Sequence, residues 1–154
     1  MHITPLAIED LLLCEKFGRA FHSEKVIPGE FSLDAFIRNW SYFITSDIGV
    51  IFGLYDGDSL VGGIGGVTTP DLTTGELITS EMFWYIDEAC RHNRMALRLV
   101  DRLRAWGKEK GATRFRMVHL LMPGESPSTV RLASVYRRMG LRPIEVAYDG
   151  PIGD

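Results

Sequence analysis

The sequence predicts one α/β domain spanning residues 1–154: a sheet that contains an antiparallel meander, with helices on both faces. Three observations carry this. Hydrophobic spacing is helical up to about residue 43, strand-like from 49 to 86, and helical again from 94 to 110. Asp56-Gly57-Asp58 joins two β-rich runs, as a hairpin loop does. A length of 154 residues with 45% hydrophobic residues, and neither repeat nor linker, suits a single core.

Each element has its own signal. His2 to Thr4 reads as a short strand. Ile8, Leu11 and Leu12 alternate with Glu15, Lys16 and Arg19 at helical spacing, predicting an amphipathic helix to about Phe21. After the breaker HSEKVIPGEFS, Ser32 is placed to cap a second helix with Leu33, Phe36, Ile37, Trp40 and Phe43 on one face. Strands are expected at 49–55, 59–69 and 76–86. A long helix over 94–110 turns Leu99, Val100, Leu103 and Trp106 inward and stops at Gly111. A strand at 113–122, a helix near 129–139 ended by Gly140, and a last strand at 143–148 complete the order.

Composition narrows the function. Seventeen Lys+Arg against 20 Asp+Glu leave a net charge of −3, unlike a protein held mainly by nucleic-acid phosphates. No window approaches ~18 consecutive apolar residues and there is no basic leader, so a cytoplasmic protein without a membrane partner is expected. Cys14 and Cys90 lie far apart without CxxC spacing; they read as reduced thiols, and no metal site is expected.

The segment EMFWYIDEACRHNRMALRLVDRLRAWGKEKGA is the most informative. Asn93 can cap its helix. Arg91, Arg94 and Arg98 crowd the helix start and no acid lies in the first turn, although a helix N-terminus carries about half a positive charge and attracts carboxylates. A phosphate would reconcile the pattern, because first-turn N–H groups and arginine side chains together make an anion site. Arginines pointing into water, or paired with Asp87, Glu88 and Asp101, are the plainer reading, and the residues alone leave both open. Glu81, amid Met82, Phe83 and Trp84, is either a carboxylate that an apolar setting would tune toward a general base or an edge carboxylate in water or paired with arginine, and the residues alone leave both open. His119, on the expected face of Phe115, Met117 and Leu121, is either a second base or a hydrogen-bonded core residue. GGIGG (62–66) opens no helix and precedes no Gly-Lys-Ser/Thr, so close packing or a bulge explains it better than a phosphate loop. Phe31, Phe36, Trp40, Tyr42 and Phe43 read as packing, with one or two lining an acceptor pocket.

With these residues in this order, the sequence resembles the GNAT superfamily of acyl-CoA-dependent N-acyltransferases. Arg91-His92-Asn93-Arg94-Met95-Ala96 is similar to the family's Arg/Gln-x-x-Gly-x-Gly/Ala loop, with Arg94 where a glycine is usual. LRLVDRLRAWGKEKGA resembles its long helix, and VYRRMGL (135–141) its Tyr-x-x-x-Gly-Phe/Leu segment; order and spacing agree over residues 60–148. The EMFWY strand is loosely similar to a subgroup found in phage genomes, which would imply a bacterial cytoplasm. The resemblance implies a mixed sheet in which the antiparallel meander is followed by a parallel strand pair splayed at the coenzyme site, acetyl-CoA as co-substrate, no metal, and direct acetyl transfer to a primary amine. It implies that Arg91, His92, Asn93, Arg94, Met95 and Ala96 hold the pyrophosphate and that the strand at Tyr85 and Ile86 holds the pantetheine arm. By the same likeness Glu81 is the base, directly or through water, with His119 or a water chain as alternatives, and Tyr136 the acid that protonates the departing thiolate; by its residue alone Tyr136 is as well read as a helix tyrosine packing under the sheet. The acceptor would be a small-molecule or peptide amine, which a charge of −3 does not select, and a homodimer is compatible with the family. The alternative is a catalytically degenerate acyl-CoA-binding or protein-interaction module on the same fold, supported by Arg94.

Overall fold

The computed structural model describes residues 1–23, 29–91, 94–120, 131–145 and 147. They belong to two compact units, Met1–Leu120 and Leu121–Asp154. In the first unit five strands lie side by side in chain order: β1 (His2–Pro5), β2 (Gly49–Asp56), β3 (Ser59–Pro70), β4 (Leu77–Ile86) and β5 (Arg114–Arg116). Neighbours from β1 to β4 are antiparallel and β4–β5 is parallel, as expected. Gly57, at φ +58, opens the two-residue loop between β2 and β3, the position where a tight hairpin turn takes glycine.

Two layers cover the sheet. On one face lie a 3₁₀ turn (Ile8–Cys14), α1 (Glu15–Ser23) and α2 (Leu33–Thr45). The single first helix expected to Phe21 is thus two pieces. The 3₁₀ turn begins where the Asp10 carboxylate accepts the Ala7 N–H at 3.1 Å, and its three-residue period lines up Leu11 and Cys14, both buried. They join Phe17, Trp40, Ile51 and Leu60 in one apolar cluster. Ser32 caps α2 as expected, its hydroxyl accepting from the Ala35 N–H. On the opposite face lies α3 (Met95–Glu109), with Leu99, Val100 and Leu103 fully buried. Gly107, not Trp106, completes its buried stripe, because α3 approaches β4 so closely there that a Cβ would run into Thr79. Trp106 stays half-buried, with the Lys110 ammonium over its ring. Gly111 (φ +84) ends the helix: the Ala112 N–H reaches the Gly107 carbonyl and the Gly111 N–H that of Lys108, a left-handed cap that satisfies the last carbonyls.

Three expectations at the ends of elements need correction. Arg94 is the residue before α3, in helical conformation (φ −58) and without a side-chain cap; Asn93, the expected cap, lies outside the described residues. The strand expected at 113–122 lasts three residues. Past Arg116 the chain leaves the ladder, and the Val118 N–H donates to a side chain of β4 instead of a main-chain carbonyl; residues 121–122 lie outside the described set. Residues 143–145 and 147 of the expected last strand have no regular structure, and Pro143 has no N–H to give a ladder. In the second unit, α4 (Arg131–Arg138) ends at Gly140 (φ +80), where the Leu141 N–H reaches the Tyr136 carbonyl and the Gly140 N–H that of Arg137, both at 3.0 Å. No helix among the described residues is long and apolar enough to cross a membrane.

Candidate active site

Strand β4 carries a bulge. Gly66 of β3 faces Glu81 and Gly65 faces Phe83, so one step on β3 spans two on β4 and Met82 is the extra residue, exposed to solvent. The consequence is a change of face. Side chains normally alternate, so Glu81 and Phe83 would share a side. Here Glu81 shares the side of Gly66 and Thr79, where α3 packs with Leu103 and Gly107, while Phe83 turns to α2 and meets Trp40 and Phe36. The glycines of the 62–66 run make this approach feasible: a Cβ on Gly65 would overlap Phe83 and Trp40, and one on Gly66 would overlap Leu103.

At the same point β4 parts from β5. Their pairing runs from Ile78–Arg114 to Ser80–Arg116, and from Glu81 to Ile86 β4 has no strand partner on that side among the described residues. Glu81 sits where the strands separate. It is buried, 5% exposed, and its Oε2 accepts the Val118 N–H at 2.9 Å. Burial pushes the carboxyl up to about 7, with the Val118 hydrogen bond pulling the other way. The apolar setting expected for Glu81 comes from β3 and α3, not from the adjacent Phe83.

The free end of β4 leads to the start of α3. Tyr85 is half-buried and packs on Phe17 of α1 with ring centroids 5.0 Å apart. Its hydroxyl is held above its ordinary range by burial and by the Asp87 carboxylate, against an opposing pull from Arg91. Ile86 is buried, and its carbonyl accepts a 3.0 Å hydrogen bond from Arg91 Nε. Asp87 is engaged by Lys16 of α1 at 3.0 Å, and both Asp87 and Arg91 act on the Tyr85 hydroxyl. Among the described residues Arg91, Arg94 and Arg98 form no ion pair with a carboxylate, and the first turn of α3 holds no acid. A surplus of positive charge stays exposed at the helix start. Met95 and Ala96 form its first turn, and His92 lies with Asn93 outside the described residues. With φ −58, Arg94 occupies ordinary helical backbone, a conformation that asks for no glycine.

Glu81, Tyr85, Ile86, Arg91 and Arg94 therefore come together along β4 and the approach to α3. Tyr136 belongs to the second unit, half-buried in the last turn of α4. His119 follows β5 in irregular chain, so the alternation that grouped it with Phe115 and Met117 does not extend to it. On the α1–α2 face lies a cavity of about 380 Å³ bounded by Phe17, Phe31, Phe36, Trp40, Phe83 and Tyr85 among others. Of its lining, sequence reasoning missed His22, whose Nδ1 is buried with no hydrogen-bond partner. The only signal for it is its position one residue before the end of an aromatic-bearing helix. Among the described residues no cluster of His, Cys, Asp and Glu has metal-binding geometry, and both cysteines are free.

A family model, that of the acetyltransferase (GNAT) family, matches residues 9–141. Among solved structures the chain is similar to a predicted acetyltransferase with acetyl-CoA from Clostridium acetobutylicum, at 16% identity and TM-score 0.76 over 98% of this chain and 96% of that one. It is similar to glucosamine-6-phosphate N-acetyltransferase from Arabidopsis thaliana, at 13% identity and TM-score 0.72 over 99% and 98% of the two chains. It is also similar to an aminoglycoside antibiotic 6'-N-acetyltransferase from Acinetobacter haemolyticus, at 15% identity and TM-score 0.69 over the whole of both chains. These identities establish a shared fold. No curated protein sequence matches.

Proposed function

The chain belongs to the acetyltransferase (GNAT) family, and from that premise we propose that it is a cytoplasmic N-acetyltransferase, a single catalytic domain that moves an acetyl group from acetyl-CoA to a primary amine by direct attack. The observation that carries this is the parting of β4 from β5 at Glu81, where a buried carboxyl raised to about 7 meets the free edge of a strand leading to an arginine-rich helix start. The residues present fit the donor. Main-chain groups of β4 from Phe83 to Ile86 have no strand partner on the β5 side among the described residues, and exposed cations stand where no acid offsets them.

Bound acetyl-CoA supplies a thioester, an acyl group activated toward amines. Arg91 and Arg94, with His92, Asn93, Met95 and Ala96, hold the pyrophosphate. Tyr85 and Ile86 orient the pantetheine arm along β4, and a main-chain N–H there polarises the thioester oxygen. Glu81 is the base. Since it lies on the α3 side while Phe83 and Tyr85 line the other, it receives the amine proton through water. Tyr136 is the acid: a phenol of pKa near ~10 can protonate a thiolate whose conjugate acid lies near ~8.5.

The test is a thermal-shift titration with acetyl-CoA and coenzyme A, using ATP as an anionic control, on the wild type and Arg91→Ala. Ligand that binds the folded state raises Tm. Shifts selective for the two coenzyme forms and weakened in Arg91→Ala are expected, followed by thiol release with amines. No shift at saturating coenzyme withdraws the enzyme reading, and binding without thiol release for any amine class leaves the degenerate module.

A further inference from the structure

The cavity on the α1–α2 face has a definite chemistry. Its walls are aromatic, and the rings already contact one another: Phe36 meets Phe31, Trp40 and Phe83 at centroid distances of 5.8, 6.1 and 6.0 Å, and Trp40 meets Phe83 edge-on at 5.6 Å. Such rings favour a further ring placed edge-to-face or offset among them. No Asp or Glu stands among its described lining residues. A polycation seated there would lose water from several ammonium groups with no carboxylate in return, which is costly. Asn39 and Tyr85 bring polar groups to the lining, and one further polar atom is buried there. The Nδ1 of His22 is buried at this wall without a hydrogen-bond partner, and buried polar groups are nearly always satisfied. The cavity also reaches Met82, Phe83 and Tyr85, the stretch of β4 that runs free of β5, so an occupant reaches the edge assigned above to the acyl donor. Its volume of about 380 Å³ falls at the small-ligand end of binding cavities.

We infer that the acceptor is an arylalkyl monoamine: its ring enters the box formed by Phe31, Phe36, Trp40 and Phe83, a polar ring substituent meets His22 Nδ1, and its amino group points toward β4. The inference rests on the acyltransferase reading for the transfer itself, but the ring-binding cavity stands apart from it. In the transfer, the amine nitrogen forms a bond to the thioester carbonyl carbon as the carbon–sulfur bond breaks. The amine loses one proton to the base and the departing sulfur gains one from the acid, giving an N-acetyl amide and free coenzyme A.

The experiment has two arms on the intact protein. First, 2-phenylethylamine, its hydroxylated analogue tyramine, and spermidine are titrated without donor, following Trp fluorescence and Tm. Second, thiol release from acetyl-CoA is measured with each amine. The expected result is binding of both arylamines at least tenfold tighter than spermidine, with kcat/KM in the same order. His22→Phe keeps an aromatic ring, so it should erase the preference for tyramine over 2-phenylethylamine while leaving the acetyl-CoA shift intact. Turnover of spermidine equal to or better than that of the arylamines overturns the inference and leaves the acyltransferase standing. A tyramine preference unchanged in His22→Phe overturns the role of His22, and failure of both arylamines to bind overturns the whole. Arylamine binding without any acetyl-CoA shift supports the cavity assignment and overturns the acyltransferase reading instead.

Discussion

Glu81 is the residue on which the chemistry and the fold make opposite demands. Its carboxyl ordinarily titrates near 4.5, and burial raises it to about 7. Between these values the folded protein holds a proton that the unfolded chain has lost. The stability contribution is therefore complete below pH 4.5 and is lost as pH rises through about 7. A neutral glutamine pays no such penalty. Glu81→Gln should gain on the wild type by an amount on the order of 3 kcal/mol between pH 4 and pH 8, read from urea unfolding at both values. A difference that does not change with pH would mean that the carboxyl is not displaced. For catalysis the sign is reversed, because the base must be ionised: wild-type turnover should climb through about pH 7, and the same variant should lose about 10²- to 10⁴-fold in kcat. Tyr136→Phe has another signature. If the phenol protonates the leaving thiolate, kcat falls while the acetyl-CoA dissociation constant holds; equal losses in both would make Tyr136 a packing residue.

At the scale of elements, the site exists because β4 is irregular. A bulge at Met82 sends Glu81 to α3 and Phe83 to α2, and paired glycines on β3 let both helices approach. Gly65→Ala should cost about 1–3 kcal/mol, since its Cβ must displace Trp40 and Phe83 in a packed layer. A drop of several degrees in Tm is the expected reading, and an unchanged Tm would show that the rings have room to move. The GGIGG run was legible in the sequence as close packing or a bulge, since glycine in a strand signals just that. Its effect on the facing strand was not, because a bulge is a relation between two strands and alternation is read along one. The ends of α3 and α4 were legible for the contrary reason: a left-handed cap is made within a few residues, and Gly111 and Gly140 both adopt it. The short β5 was not, since Arg114 to Leu120 keeps a strand-like composition beyond the point where the chain leaves the sheet.

Across the whole molecule, a net charge of −3 opposes an anionic donor, while Arg91, Arg94 and Arg98 gather local positive charge that no carboxylate offsets among the described residues. Local charge should dominate at contact, where distances are shorter than the ~10 Å screening length at 0.1 M salt. Acetyl-CoA binding should accordingly weaken as salt rises from about 50 to about 300 mM, with a smaller salt slope in Arg98→Ala; affinity indifferent to salt would remove the arginines from the anion site. The sequence by itself determined whatever depends on neighbours in the chain: the Ser32 cap of α2 and the glycine ends of α3 and α4, the hairpin at Gly57, the amphipathic faces of α2 and α3, the order of elements from α2 to β5, and the acid-free helix start. Tertiary structure alone decided which side of the sheet Glu81 occupies, where β4 and β5 part, and that Asp87 pairs with Lys16 of α1. It also decided that rings from α2, β4 and the chain before α2 enclose one cavity around an unmatched histidine nitrogen. Periodicity and capping are local physics, written in spacing, whereas burial, register and the competition of charges for a partner arise only between segments that folding brings together.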